Sequence, residues 1–263
     1  MEDKLIENNL YLARISHLSG LPEEAIKYLE EIIKLKKGNI TEEERNILFS
    51  SLKTLINSRR DSWNTVNALE SKERKNESSL LPRVSELKLC LSEEIKNYIN
   101  KGIELIDTYL FKAANNDELK VIYAKTKGDY IRYIIELTPK ENVDEINILK
   151  EKCDENYKLG LNLCSNLNNL NTTKIGLILN YTVFLYQIVK DCQNAYIIAN
   201  NAYKATLKSI NDDKYDLTLL KDLNKLMNLL KDNISKWSET VGQNNIDNLV
   251  NGLSPSNNEP PPS

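Results

Sequence analysis

The sequence predicts an all-α fold, and three observations carry that prediction. Gly (8) and Pro (7) together account for only fifteen of 263 residues, and four of the prolines (Pro255, Pro260, Pro261, Pro262) lie in the last nine positions. The rest of the chain is too poor in turn-formers for a β-sandwich or an alternating α/β fold. Hydrophobic residues make up 41% of the chain, enough for one large core or two small ones. They recur at helical spacing in long uninterrupted stretches.

The elements follow in order. In residues 3–18, Leu5, Ile6, Leu10, Leu12, Ala13 and Ile15 form a broad apolar stripe. Gly20 stops that helix, and Pro22 opens the next, with Glu23 and Glu24 suited to the positive end of its dipole. Gly38 closes it. Thr41 followed by Glu44 is a capping box that starts a long helix to about Arg74. "NESSLLPRV" breaks the pattern, and a helix of about thirty residues is expected over 84–114. "ANNDEL" turns the chain into a helix that ends at Leu137, before Pro139. Residues 143–165, 172–190, 192–209 and 215–239 read as four more helices, making nine. The chain divides into a helical domain, 1–240, and an Asn/Ser/Pro-rich tail, 241–263, expected to be mostly disordered with one helical turn at "IDNLV". No second copy of "GLPEEAIKYLEEI" occurs in register, which excludes a tetratricopeptide array.

Composition excludes several function classes. Thirty-five basic residues against 38 acidic leave a net charge of −3, without the basic excess of a nucleic-acid or membrane-surface binder. The four cysteines form no CxxC pair, the usage of a reducing compartment, and a cytoplasmic location is expected. No run approaches the roughly twenty apolar residues of a membrane span. His17 is the sole histidine, so a Ser-His or Cys-His catalytic site would have to use it, and a lone helical His is more often structural. No P-loop, HExxH or metal-ligand spacing occurs, so neither enzyme nor cofactor nor metal is expected.

The basic residues say more. Lys53 and Arg60 are seven apart in one helix, nearly two turns, and share a face about 10 Å long, with Arg59 turned about 100° away. In "YAKTKGDYIRY", Lys125, Asp129, Arg132 and Tyr133 share another face, and Asp129 is placed to pair with Arg132. A second Arg, a Lys and a phenol beside a carboxylate-held guanidinium fit the oxygens of a phosphate monoester. Ordinary solvated helix faces are the competing reading of the same spacing.

The strings "EEERNILFSSLKTLINSRRDSW", "KVIYAKTKGDYIRYIIEL", "IGLILNYTVFLYQI" and "LLKDNISKW", from about Leu12 to Trp237, resemble the 14-3-3 proteins in order and spacing. That resemblance implies nine antiparallel helices forming a cup-shaped protomer. Its concave groove binds phosphoserine or phosphothreonine peptides, and the protein acts as a non-enzymatic adaptor in signalling. The phosphate-binding residues then fall on Lys53, Arg60, Arg132 and Tyr133. The peptide-groove residues fall on Lys125, Asp129, Leu179, Asn180, Val183, Gln187, Leu229, Asn233 and Trp237. The asparagines would hold the peptide main chain, and Leu179, Val183, Leu229 and Trp237 the apolar wall. Expected partners are phosphorylated clients and a second protomer, identical or homologous, packed through the N-terminal helices. Neither nucleic acid nor membrane is expected as a partner.

Several positions depart from the family pattern. Gln187 replaces a Glu, Lys225 and Lys236 replace leucines, Ser50 replaces a Val, and Cys90 replaces a basic residue at the dimer seam beside Glu94. They motivate an alternative: a scaffold that binds acidic or unmodified peptides without phosphate and is self-inhibited by its tail, through Ser254 or Ser256.

Overall fold

The computed structural model describes residues 2–212 and 217–252, with side chains described except at 211, 212, 217–220 and 243–252. Residues 253–263, with Ser254, Ser256 and the prolines of the tail, lie outside the described residues. Among those described there are nine helical runs and no strand, so the all-α expectation holds.

The chain forms two compact units, residues 1–156 and 157–263. In the first unit, α1 (Glu2–Leu18) packs on α2 (Pro22–Leu35), and α3 (Glu42–Lys75) packs along α4 (Leu81–Leu105). The α4 run continues through a π-helical turn, Ile106–Leu110, to Ala113. Helix α5 (Asp117–Leu137) follows, capped by Asn116, whose side chain accepts from the Leu119 N–H. Helix α6 spans Val143–Leu163. The second unit contains α7 (Thr172–Phe184, extended by a π-helical turn Leu185–Val189), α8 (Cys192–Asp212) and α9 (Leu217–Gly252).

Local chemistry sets the boundaries. The expected capping box is formed: Thr41 accepts from the Glu44 N–H, and the Glu44 carboxylate accepts from the Thr41 N–H. That carboxylate, fully buried, is also held by Lys36 at 2.7 and 2.9 Å. Gly38, at φ +87°, turns the chain between α2 and α3, and an added Cβ would lie 2.4 Å from the Tyr109 carbonyl oxygen. No other residue fits there without displacing that backbone.

One expectation needs correction. Helix α9 does not stop at 239 but continues to Gly252, because no proline intervenes before Pro255 and the lone interior glycine, Gly242, only weakens a helix. The stripe on α1 does not bury as one face. Ile6, Leu10 and Ala13 pack on the first unit's core, whereas Leu5 (49%), Leu12 (39%) and Ile15 (43%) stay exposed. The apolar band is wider than a single helix contact can cover.

The first unit has two cores. One gathers Ala13, Leu29, Ile32, Ile33, Leu48, Leu52 and Tyr123. The other gathers Ile56, Ile95, Ile99, Tyr130 and Leu137, with Trp63 and Tyr133 against it. Tyr130 fits because residue 102 is glycine, where a Cβ would stand 2.6 Å from its ring. In the second unit Tyr157, Tyr181 and Phe184 cluster at 5.7–6.4 Å between ring centres, and Leu170, Ile175, Leu223 and Met227 form a further core.

Candidate functional site

Burial of one face of α3 and one face of α5 determines what the opposite faces present. On α3, Leu48, Leu52, Leu55 and Ile56 turn inward, leaving Lys53 and Arg60 outward. On α5, Val121, Ala124, Gly128, Tyr130 and Ile131 are buried, and Lys125, Arg132 and Tyr133 lie at the margin.

Arg60 and Arg132 come together at a single carboxylate and on the ring of Tyr133. Glu136 accepts from the Arg60 guanidinium at 2.5 Å and from Arg132 at 2.9 Å. The Arg60 guanidinium carbon lies 3.8 Å from the centre of the Tyr133 ring, and that of Arg132 lies 4.7 Å from it. Stacking on an aromatic face and ion pairing together fix both planar forks. Arg132 is the more enclosed, with 11% of its side chain exposed against 25% for Arg60. Two guanidinium charges against one carboxylate leave a local excess of one positive charge. Lys53, two turns back on α3, adds a second, and it is exposed with no carboxylate partner among the described residues.

Glu136 was not anticipated. Arg132 bonds Glu136, and Asp129, the residue expected beside Arg132, holds Lys125 at 2.7 Å. Both are i,i+4 pairs, a spacing visible in the sequence that competes directly with the i,i+3 pair expected. Arg59 points elsewhere, to Glu94 at 2.5 Å. Cys90 lies at 3.8 Å from that same carboxylate.

His17 is structural in its contacts. Its Nδ1 lies 3.1 Å from the Ser51 hydroxyl and its Nε2 lies 3.4 Å from that of Ser50. It borders an open cavity of about 630 Å³ lined by Arg14, Leu18, Glu42, Glu43, Asn46 and Ile47. Arg14 and Glu43 pair in bidentate fashion at its rim, 2.6 Å on each arm. Cys153 is buried against the Gly128 carbonyl, and burial pushes its thiol well above the ordinary range.

In the second unit, α7 places Leu179 in the core, with Asn180 and Val183 half-buried and Gln187 exposed. On α9, Leu229 is 53% exposed and Asn233 is half-buried, but Trp237 is 4% exposed. The Trp237 indole stacks on Tyr186 at 4.9 Å, and the Tyr186 hydroxyl meets Thr240 at 3.1 Å. This places Trp237 in the α7–α9 contact.

The family model described as "14-3-3 protein" matches residues 12–238. A 14-3-3-like protein of Solanum tuberosum is 28% identical over 94% of each chain. The 14-3-3 protein 2 of Entamoeba histolytica is 27% identical, over 90% of this chain and 97% of its own. The 14-3-3-like protein D of Nicotiana tabacum is 30% identical, over 89% and 94% respectively.

Proposed function

The chain belongs to the 14-3-3 family, and from that premise we propose that it is a non-enzymatic adaptor that grips phosphoserine or phosphothreonine segments of client proteins. The observation that carries this reading is the convergence of Arg60 and Arg132 from two helices onto Glu136, with both guanidinium groups against the Tyr133 ring. A phosphate brings close to two negative charges and three acceptor oxygens. The local positive excess and Lys53 match that charge. Neutral or singly charged side chains would satisfy it less well, which makes binding phosphate-dependent.

The roles of Lys125, Asp129, Leu179, Asn180, Val183, Gln187, Leu229, Asn233 and Trp237 along the peptide are part of the same proposal and rest on the family resemblance. The side-chain amides of Asn180 and Asn233 can both donate and accept, which suits an extended main chain of any sequence. The protein acts as a dimer through α1, whose exposed Leu5, Leu12 and Ile15, with Leu18 (85%) beyond them, are apolar side chains that a second protomer would cover. A cytoplasmic location accords with this role. No helix among the described residues is long and apolar enough to cross a membrane.

The test is fluorescence anisotropy with a labelled phosphoserine peptide and its unphosphorylated twin. Binding of the phosphopeptide alone is expected. Equal affinity for the two would refute the assignment.

A further inference from the structure

We infer that the phosphosegments this chain takes carry an Arg or Lys about three to six positions from the phosphoresidue, on the flank that runs along α3 toward α1; the inference rests on the phosphopeptide reading above. Asn46, Lys53 and Arg60 recur at spacings of seven on α3, each turned about 20° from the last, so one face carries all three. Ser50 and Asn57 lie on the same face, and none of the five is buried. At Arg60 this face meets α5, where Arg60 and Arg132 share Glu136. At Asn46 it borders the cavity of about 630 Å³ that α3 forms with Arg14 and His17 of α1. All of these residues belong to the first unit. Along the helix axis Asn46 stands about 10 Å from Lys53 and about 21 Å from Arg60, distances that an extended segment covers in about three to six residues.

The cavity presents a carboxylate that nothing neutralises. Arg14 and Glu43 offset one another, 2.6 Å on each arm. Glu44 is buried and held by Lys36. Glu42 is exposed and, like Asn46, has no hydrogen-bond or ion-pair partner among the described residues, Lys37 of the α2–α3 connection included. The α3 N-terminus contributes roughly half a positive charge, which leaves the carboxylate in excess. On α1, Glu7 and Asp3 stand two and three turns back within about 20° of Arg14 and add to the acidic sign, with Lys4 turned about 80° away. Lys53 lies about 16 Å from Glu42 along α3. Ile47, 8% exposed, supplies an apolar floor. An Arg or Lys suits this lining, its methylene stem against Ile47 and its charged head on Glu42 and the Asn46 amide oxygen. An acidic side chain would meet Glu42 as a like charge. Arg14 is turned about 180° from Leu5 and about 160° from Leu12, so a protomer packed on those leucines leaves the Arg14 side open. Leu18 stands at the edge of the cavity nearest that contact.

The experiment uses the full chain at pH 8 and anisotropy with phosphoserine peptides that share one alanine-flanked core. Arg or Asp is placed about three to six positions before or after the phosphoserine, and the unphosphorylated Arg peptide is the twin. Arg on one flank should tighten binding about threefold to fivefold over Ala, and Asp there should weaken it. The Arg advantage should vanish in Glu42→Gln and shrink as salt rises. An advantage equal on both flanks, absent from both, or undiminished in Glu42→Gln would overturn this inference alone. An Arg twin that binds as well without phosphate, or no phosphopeptide binding at all, would overturn the phosphopeptide reading and this inference with it.

Discussion

Glu136 bonds Arg60 at 2.5 Å although 76 residues separate them in sequence. The same carboxylate holds Arg132 one helical turn away, so α3 and α5 are joined at the point where their basic faces meet. A phosphate placed there would meet two guanidinium forks already oriented by ring and carboxylate, at less ordering cost than two free side chains would demand.

Replacing Arg132 by Ala removes the more enclosed fork. Phosphopeptide affinity should fall by about 2–5 kcal/mol, enough to abolish detectable binding at micromolar protein. Titration calorimetry giving unchanged affinity would remove Arg132 from the site.

Glu136→Gln leaves two guanidinium groups close together without their counter-charge. The unliganded protein should lose about 1–3 kcal/mol, and a saturating phosphopeptide should raise its Tm by more than it raises that of the parent. A ligand-induced shift equal to the parent's would show that Glu136 does not organise the arginines.

Gly38→Ala places a Cβ at φ +87° and 2.4 Å from the Tyr109 carbonyl oxygen. A loss of about 2–4 kcal/mol is expected in urea unfolding. Gly20→Ala is the control: φ is +71° but the space is open, so only the backbone cost of about 1–2 kcal/mol applies. Similar losses at the two positions would mean that the loop around Gly38 yields easily.

Cys90 is exposed and Cys192 partly so, whereas Cys153 and Cys164 are buried with thiols pushed up by burial. At pH 8 the buried pair stays protonated and unreactive. A thiol reagent should therefore modify Cys90 and Cys192 first and reach Cys153 and Cys164 only on unfolding. Rapid modification of all four in the native protein would contradict the packing described.

Leu5→Lys with Leu12→Lys puts two ammonium groups on the outer face of α1, where both residues are exposed. Sedimentation should show a dimer for the parent and a monomer for the double variant. An unchanged sedimentation coefficient would move the dimer contact away from α1.

Much of this was legible from the sequence. Scarcity of Gly and Pro with 3.6-residue periodicity specified the helices, and Thr41 with Glu44 gave the start of α3, because such signals act within a turn or two. The spacing of Lys53 and Arg60, and of Lys125, Arg132 and Tyr133, put each set on one face for the same local reason.

What the sequence left open was the choice between competing local pairings, and the contacts made over long separations. Asp129 and Glu136 stand three and four residues from Arg132, and spacing alone does not choose between them. Tertiary structure adds what spacing cannot: Arg60 arrives from α3 beside Glu136, and Asp129 holds Lys125. The apolar band of α1 was readable, but which half is buried depends on where α2 and α3 pack. The stack of Tyr186 on Trp237 likewise exists only once α7 and α9 meet, 51 positions apart in the chain. Helix periodicity is fixed by backbone geometry within a few residues. Which side chains share a neighbour is fixed by burial of area and by loop closure across the whole fold.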